Sequence, residues 1–271
     1  MDVEDWYHGI PVGAGVRQTA ERRLHRGLDV LLGLLAEHGT HGTFFFLGPV
    51  AEEHPGLVRA IARAGHELGC HGWSHDLLYT MTPDRMRDET RRAKTAIEDT
   101  AGQAVVAYRA AYFSVTRESL WALDVLAGLG FRYDSSIFPV RNWRYGIADF
   151  DPRPQRIQTA SGVLYEMPMS VRRLLGVNLP VSGGAYFRLY PYALTRSNFK
   201  AAERSRRPVV FYLHPWELDP DHPQVAFHWK ARLTHYANLR STRPKLRRLL
   251  AEFPFGPLGE VLEDELAESR P

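Results

Sequence analysis

The sequence predicts an α/β protein with a mostly parallel sheet. Short apolar runs alternate with amphipathic helical stretches, each run closes on a polar residue, and the alternation persists through at least four units. That favours a barrel or a long open sheet. Leu24, Leu28, Leu31, Leu32 and Leu35 mark one face of a helix ending near Gly39. Thr43 to Leu47 reads as a buried strand, Pro55 opens a helix closing at Gly65, and His66 to His71 reads as a strand running into a loop. Thr82-Pro83 is a cap and first-turn proline for a helix to about Asp99. Val105 to Tyr108 is a strand, Thr116 caps a helix ending at Gly128 to Gly130, and Phe131 to Tyr133 is a strand again. From about Ile137 to Arg188 the pattern breaks into a stretch rich in Pro, Gly and aromatics, read as an irregular insertion. It resumes with a helix near Tyr192 to Arg204, a strand at Val209 to Leu213 and a final helix from Thr242 to Glu252.

The 271 residues suffice to bury a core, and 44% apolar with 24% charged residues is the balance of a globular protein. No run approaches the roughly 20 apolar residues of a membrane span. The polar opening Met1 to Asp5 does not resemble a signal peptide, so the expectation is a cytoplasmic protein. Net charge is only +3, and the basic runs Arg17 to Arg26 and Arg240 to Arg248 read as solvated helix faces, with no nucleic-acid partner expected. The single cysteine, Cys70, excludes an internal disulfide and reads as a small buried residue.

His71-Gly72-Trp73-Ser74-His75 sets two imidazoles four residues apart, within reach of one metal ion. With twelve histidines in the chain, such a pair alone is also compatible with a structural role. Asp2, Glu4 and Asp5 supply carboxylates for a third ligand and for a general base, or else form a solvated acidic terminus. Arg109, Asp134 and His214 each follow an apolar run, where a barrel places its chemistry. Individually each is equally a cap or an ion-pair partner; together they repeat one position in successive units.

Five ordered segments resemble the NodB-homology polysaccharide deacetylases, carbohydrate esterase family 4. Asp2-Val3-Glu4-Asp5-Trp6-Tyr7-His8 resembles the first motif in the branch reading Asp-Val-Glu-Asp, and His71 to His75 resembles the His-x-x-Ser-His metal motif. Tyr108 to Ser114 resembles the third motif, with Ala111 where proline is usual. Tyr133 to Ser136 and Leu213 to Trp216 resemble later motifs, and Gly183 to Leu189 resembles an extension seen in exosortase-associated exopolysaccharide loci. The resemblance implies an incomplete, TIM-like (β/α) barrel: one domain over residues 1–271, with an insertion at 137–190 and a C-terminal extension at 215–271.

It also implies the chemistry. His71 and His75 would bind Zn²⁺ (or Co²⁺ or Mn²⁺), with Glu4 or Asp5 as third ligand; strand alternation keeps Glu4 on the side of Asp2. Asp2 would be the base that takes a proton from water, oriented by Arg109. The Tyr112 N–H would help hold the oxyanion, and His214 would protonate the leaving amine. Asp134 joins them as a candidate catalytic residue, and Trp143, Tyr186 and Trp216 as aromatic contacts for an N-acetylated oligo- or polysaccharide substrate. The products would be acetate and a free amino sugar. The rival readings are a metal-dependent amidase on a small cyclic amide or ureide, and a catalytically silent glycan-binding protein. Because only Met1 precedes Asp2, strand one is short, and the natural start is expected upstream.

Overall fold

The computed structural model describes residues 1–10, 19–225 and 229–268. The chain forms two compact units, Met1–Thr40 with Val181–Phe255, and His41–Pro180 with Gly256–Pro271.

Strand β1 (Asp2–Val3) ends where Glu4 N donates back to Asp2 O at 3.1 Å, a turn that stops the extended alternation. Helix α1 (Leu24–Glu37) buries Leu24, Leu28, Leu31, Leu34 and Leu35, the stripe its spacing predicts. Of the first basic run, Arg17 lies outside the described residues. Arg22 and Arg26 are exposed, whereas Arg23 is buried in a bidentate pair with Asp219 (2.7 and 3.0 Å). A solvated face is therefore the wrong reading for Arg23.

The second unit carries the sheet. Its elements in chain order are β2 (Thr43–Phe46), α2 (Gly48–Glu53), α3 (Pro55–Arg63), β3 (Glu67–Cys70), α4 (Pro83–Ala101), β4 (Ala107–Tyr108), α5 (Trp121–Gly128), β5 (Tyr133–Asp134), β6 (Gln155–Gln158) and β7 (Val163–Glu166). Within this unit the strand order is β2-β3-β4-β5-β7-β6. All neighbours are parallel except β6, which runs antiparallel to β7. Thr43 to Phe46 are all buried, as a parallel strand covered on both faces must be. Thr82 accepts Arg85 N at 3.2 Å, and Gly102, at φ 69°, ends α4. A ribbon of β8 (Val171–Leu174) and β9 (Val177–Pro180) forms a separate antiparallel pair. Beyond it lie α6 (Gly184–Leu189), α7 (Tyr192–Arg204), α8 (Trp229–Tyr236) and α9 (Leu239–Glu252) of the first unit, and α10 (Leu258–Glu268). This is the α/β fold with a mostly parallel sheet that the alternation predicts, consistent with an incomplete (β/α) barrel.

Three elements depart from the sequence reading. Thr116 caps only a 3₁₀ turn, Arg117–Ser119, ahead of α5. Val163–Glu166, inside the stretch read as an irregular insertion, is a sheet strand: Asp134 pairs with Glu166 in parallel register. The turn-forming residues around so short a run hid it. Val209 to Leu213 makes no ladder among the described residues; Tyr212 forms one bridge to Gly183, Leu213 O accepts Asp2 N at 3.1 Å, and Val210, Tyr212 and Leu213 are buried. A short apolar run looks the same in sequence in either case.

Candidate functional site

In the first unit, Asp2, Glu4 and Asp5 are all buried, so the acidic opening is not a solvated terminus. His214 follows the Tyr212 bridge and precedes the 3₁₀ turn Pro215–Leu218, whose proline stands at the first helical position. Gly183 and Gly184 permit that bridge, because a Cβ on either would come within 2.1 or 2.5 Å of Tyr212 atoms. Helix α1 packs against Pro215 at Gly27, where a Cβ would lie 1.8 Å from the Pro215 carbonyl oxygen.

The His214 ring is held from both nitrogens. Nε2 lies 3.4 Å from Glu4 Oε1 and 3.9 Å from Asp2 Oδ2, and Nδ1 lies 2.8 Å from Glu217 Oε1. Glu217 Oε1 also accepts the His214 backbone N–H at 3.1 Å, and its Oε2 accepts Arg188 Nε at 2.6 Å. Arg188 is fixed in turn by donating to Ala237 O (2.6 Å) and Thr234 O (2.5 Å). Burial alone would keep the imidazole neutral, but Glu217, Glu4 and Asp2 outweigh it and push its pKa up to about 9. Burial opposes ionisation of Glu217 as well, yet Arg188 and His214 bring its pKa down to about 2.

The neighbouring carboxylates differ in use. Asp5 Oδ1 accepts Trp6 N at 2.8 Å, while Oδ2 accepts Arg23 N and Leu24 N at 2.8 and 3.1 Å. Asp5 thereby caps α1 from a distance in sequence, a role its position among three acids did not suggest. Trp216 is buried and stacks on His214 and His235, with ring centroids 5.2 and 4.1 Å away.

In the second unit, β3 delivers His71 and a loop brings back His75 at φ 58°, with ring centroids 5.3 Å apart. Ser74 Oγ donates to Glu89 Oε2 of α4 at 2.6 Å, which anchors this loop. Trp73 packs on Gly48, where a Cβ would meet its ring at 2.3 Å. His71 Nδ1 lies 2.7 Å from the Arg109 carbonyl oxygen. A carbonyl only accepts, so Nδ1 carries the proton and Nε2 presents a lone pair, the tautomer a metal-binding histidine needs. Cys70 is wholly buried and its thiol is pushed up to about 12, which makes it inert.

Arg109 lies beside the Phe45 ring (4.4 Å) and donates to Ser135 O and Oγ, both at 3.1 Å. Without a proline at Ala111, the loop is held by bonds: Ser136 Oγ accepts Ala110 N at 2.8 Å, and Phe113 N and Ser114 N donate to Ala110 O and Ala111 O, each at 3.1 Å. Tyr112 and Phe113 both take positive φ, 55° and 54°, the strained backbone that clusters at functional loops. Asp134 accepts from Ser136 Oγ and faces Glu166, both fully buried. Their other oxygens, Asp134 Oδ2 and Glu166 Oε2, find no donor among the described residues. Burial raises both pKa values, with Asp134 raising Glu166 further, so one proton shared between them satisfies the pair.

Trp143 is 90% exposed in the second unit, and Tyr186 of the first is half-buried. Sequence reasoning missed Glu217, Arg188 and Glu166 as site residues. Glu217 had a signal, being three residues past His214 across a helix-starting proline, the spacing of a capping box. Arg188 and Glu166 had none, since Glu217 lies 29 residues from Arg188 and Asp134 meets Glu166 only through the register of two separate strands.

Residues 24–133 match the polysaccharide deacetylase family model, and residues 135–263 match a domain of unknown function (DUF3473). The chain is 33% identical over 95 residues to a peptidoglycan-N-acetylglucosamine deacetylase of Bacillus cereus, covering 35% of this chain and 34% of that protein. It is 32% identical over 97 residues to a chitooligosaccharide deacetylase of Rhizobium leguminosarum bv. trifolii, covering 36% and 42%. The aligned regions thus span well under half of these two relatives. A solved structure from Mycobacterium smegmatis, provisionally named a polysaccharide deacetylase, shares the fold at a TM-score of 0.64 with 24% identity, covering 90% of this chain and 81% of that one. The chain is therefore similar to the polysaccharide deacetylase family over residues 24–133 and to the DUF3473 family over residues 135–263.

Proposed function

We propose that this protein is a metal-dependent deacetylase that removes N-acetyl groups from N-acetylhexosamine units of a bacterial exopolysaccharide or its precursor. The observation that carries the reading is the state of His214. Its imidazole is gripped by Glu217 on one side and faces two carboxylates on the other, a setting that suits it to pass a proton to a departing amine. A protein that merely binds a glycan has no use for such an acid.

His71 and His75 are the proposed metal ligands, with Glu4 as the third. The Nδ1–H tautomer of His71 supports the first assignment. Glu4 is preferred to Asp5 because both oxygens of Asp5 already accept backbone N–H groups. The donor set of two imidazoles and a carboxylate suits Zn²⁺, and Co²⁺ or Mn²⁺ would also fit. Such an ion would supply Lewis acidity toward water and the acetyl carbonyl. Asp2 takes the proton from the attacking water, Arg109 orients Asp2, and the Tyr112 N–H faces the developing oxyanion. Trp143 and Tyr186 are proposed to stack on sugar rings.

The test is acetate release from N-acetylglucosamine oligomers, with and without a chelator. Activity should vanish with the chelator and return with Zn²⁺ or Co²⁺. Undiminished turnover by metal-free protein, verified by elemental analysis, overturns the metal assignment. Binding of oligomers without acetate release, in metal-loaded protein, overturns the enzymatic one. Hydrolysis of a cyclic amide in preference to the oligomers overturns the substrate class.

A further inference from the structure

Ten large apolar side chains stand exposed among the described residues, and five belong to one region: Trp143, Leu174, Leu175, Val177 and Leu179. Four of these sit on the β8–β9 ribbon. Its register pairs Leu174 with Val177 and Arg172 with Leu179, which puts these four on one face; Arg173 and Asn178 share the other. The second face is anchored. Asn178 Nδ2 donates to Pro139 O at 2.8 Å and Ala148 O at 3.3 Å, clasping both ends of the segment that carries Trp143. The first face leaves Leu174, Val177 and Leu179 at 50%, 60% and 39% exposure.

The tip is stranger still. Leu175 is 95% exposed at φ 48°, followed by Gly176 at φ 80°. A two-residue hairpin turn with both residues at positive φ ordinarily takes Asn-Gly. Leucine there is disfavoured twice, by its Cβ in the left-handed backbone and by its side chain in water. The charge within its two segments is one-sided, and the adjoining Asp149 and Asp151 are paired with Arg117 and Arg153. Residues 139–148 and 171–180 contain Arg141, Arg144, Arg172 and Arg173 and no Asp or Glu.

We propose that this ribbon and the Trp143 segment dock the protein on an anionic lipid surface. The leucines and Val177 would enter the acyl boundary, and the arginines would meet the anionic headgroups. A ten-residue ribbon is too small for a stable protein interface, which buries about 800 Å² on each partner. An aliphatic tip has no counterpart in nucleic-acid recognition, which stacks bases on aromatic rings. The Arg144 guanidinium lies 4.4 Å from the Tyr112 ring centroid, so the docking segment adjoins the loop assigned to the oxyanion. On the deacetylase reading, the substrate would then be a membrane-linked glycan.

The experiment is co-sedimentation of the full chain with vesicles of phosphatidylcholine alone or with about one-third phosphatidylglycerol, at low and high salt. Binding is expected to the anionic vesicles only, and to weaken with salt. Leu175→Asn should raise the melting temperature, because asparagine suits positive φ, while lowering vesicle partition about tenfold. Replacing Arg172 and Arg173 by Gln should lower it about fivefold per charge removed. Equal binding to neutral vesicles, or unchanged binding by Leu175→Asn, overturns the proposal. So does a dimer in solution that Leu175→Asn dissociates. Vesicle binding needs no turnover, and Leu175→Asn should release acetate from soluble oligomers at the wild-type rate, so docking and deacetylation fail independently.

Discussion

Glu217 stands between Arg188 and His214, accepting Arg188 Nε at 2.6 Å on one oxygen and His214 Nδ1 at 2.8 Å on the other. Both members of the Arg188–Glu217 pair are buried. A buried pair that loses one member leaves an uncompensated charge. Glu217→Gln should therefore cost about 3–5 kcal/mol of stability and lower kcat about 10²-fold, because His214 loses its orienting carboxylate. Replacing Arg188 and Glu217 together by Met and Leu should recover stability and leave kcat low. Urea denaturation and acetate release separate the two effects. Wild-type kcat in a stable double variant would show that Glu217 serves only the fold.

The same residues give a pH dependence in chelator-treated protein. Glu217 titrates near 2 instead of 4.5, so its stabilising contribution is complete above pH 4.5 and is lost as pH falls through 2. His214 titrates near 9 instead of 6.5, so its contribution is complete below pH 6.5 and is lost as pH rises through 9. Each flank is on the order of 3 kcal/mol. Urea midpoints measured across pH should form a plateau between these limits, and Glu217→Gln should flatten both flanks. An unchanged alkaline flank in that variant would locate the titration elsewhere.

Asp5 and Glu4 should separate cleanly. Asp5→Asn weakens the cap on α1 and should cost about 1–2 kcal/mol while metal affinity holds. Glu4→Gln should lower metal affinity at least about tenfold with little loss of stability in the metal-free protein. Isothermal titration with Zn²⁺ and thermal melts decide it. A larger loss of affinity in Asp5→Asn would exchange the two roles.

The Asp134–Glu166 pair should hold one proton at neutral pH. Glu166→Gln keeps a neutral donor beside Asp134 and should cost less than about 1 kcal/mol, whereas Glu166→Ala should cost about 3 kcal/mol. Infrared difference spectra of wild type against Glu166→Gln should show a protonated carboxyl band. Its absence at neutral pH would mean that both acids are ionised and that an unseen cation balances them.

The fold class was legible because burial imposes periodicity. The stripe Leu24, Leu28, Leu31, Leu35 and the run Thr43 to Phe46 each carry their own answer within a few residues. The sequence by itself also put forward His71, His75, Asp2, Glu4, Arg109 and His214 as candidates, through their residue types and positions and through a family resemblance. Tertiary structure alone decided how each is held. It turned Asp5 into the cap of a helix 19 residues away, and joined Arg188 to Glu217 across 29 residues. It set Asp134 beside Glu166 through strand register, inside a stretch the sequence presents as irregular. The physical reason is the same in each case. A hydrogen bond or ion pair between buried groups depends on where the packed core brings two distant backbones together, and no local periodicity records that.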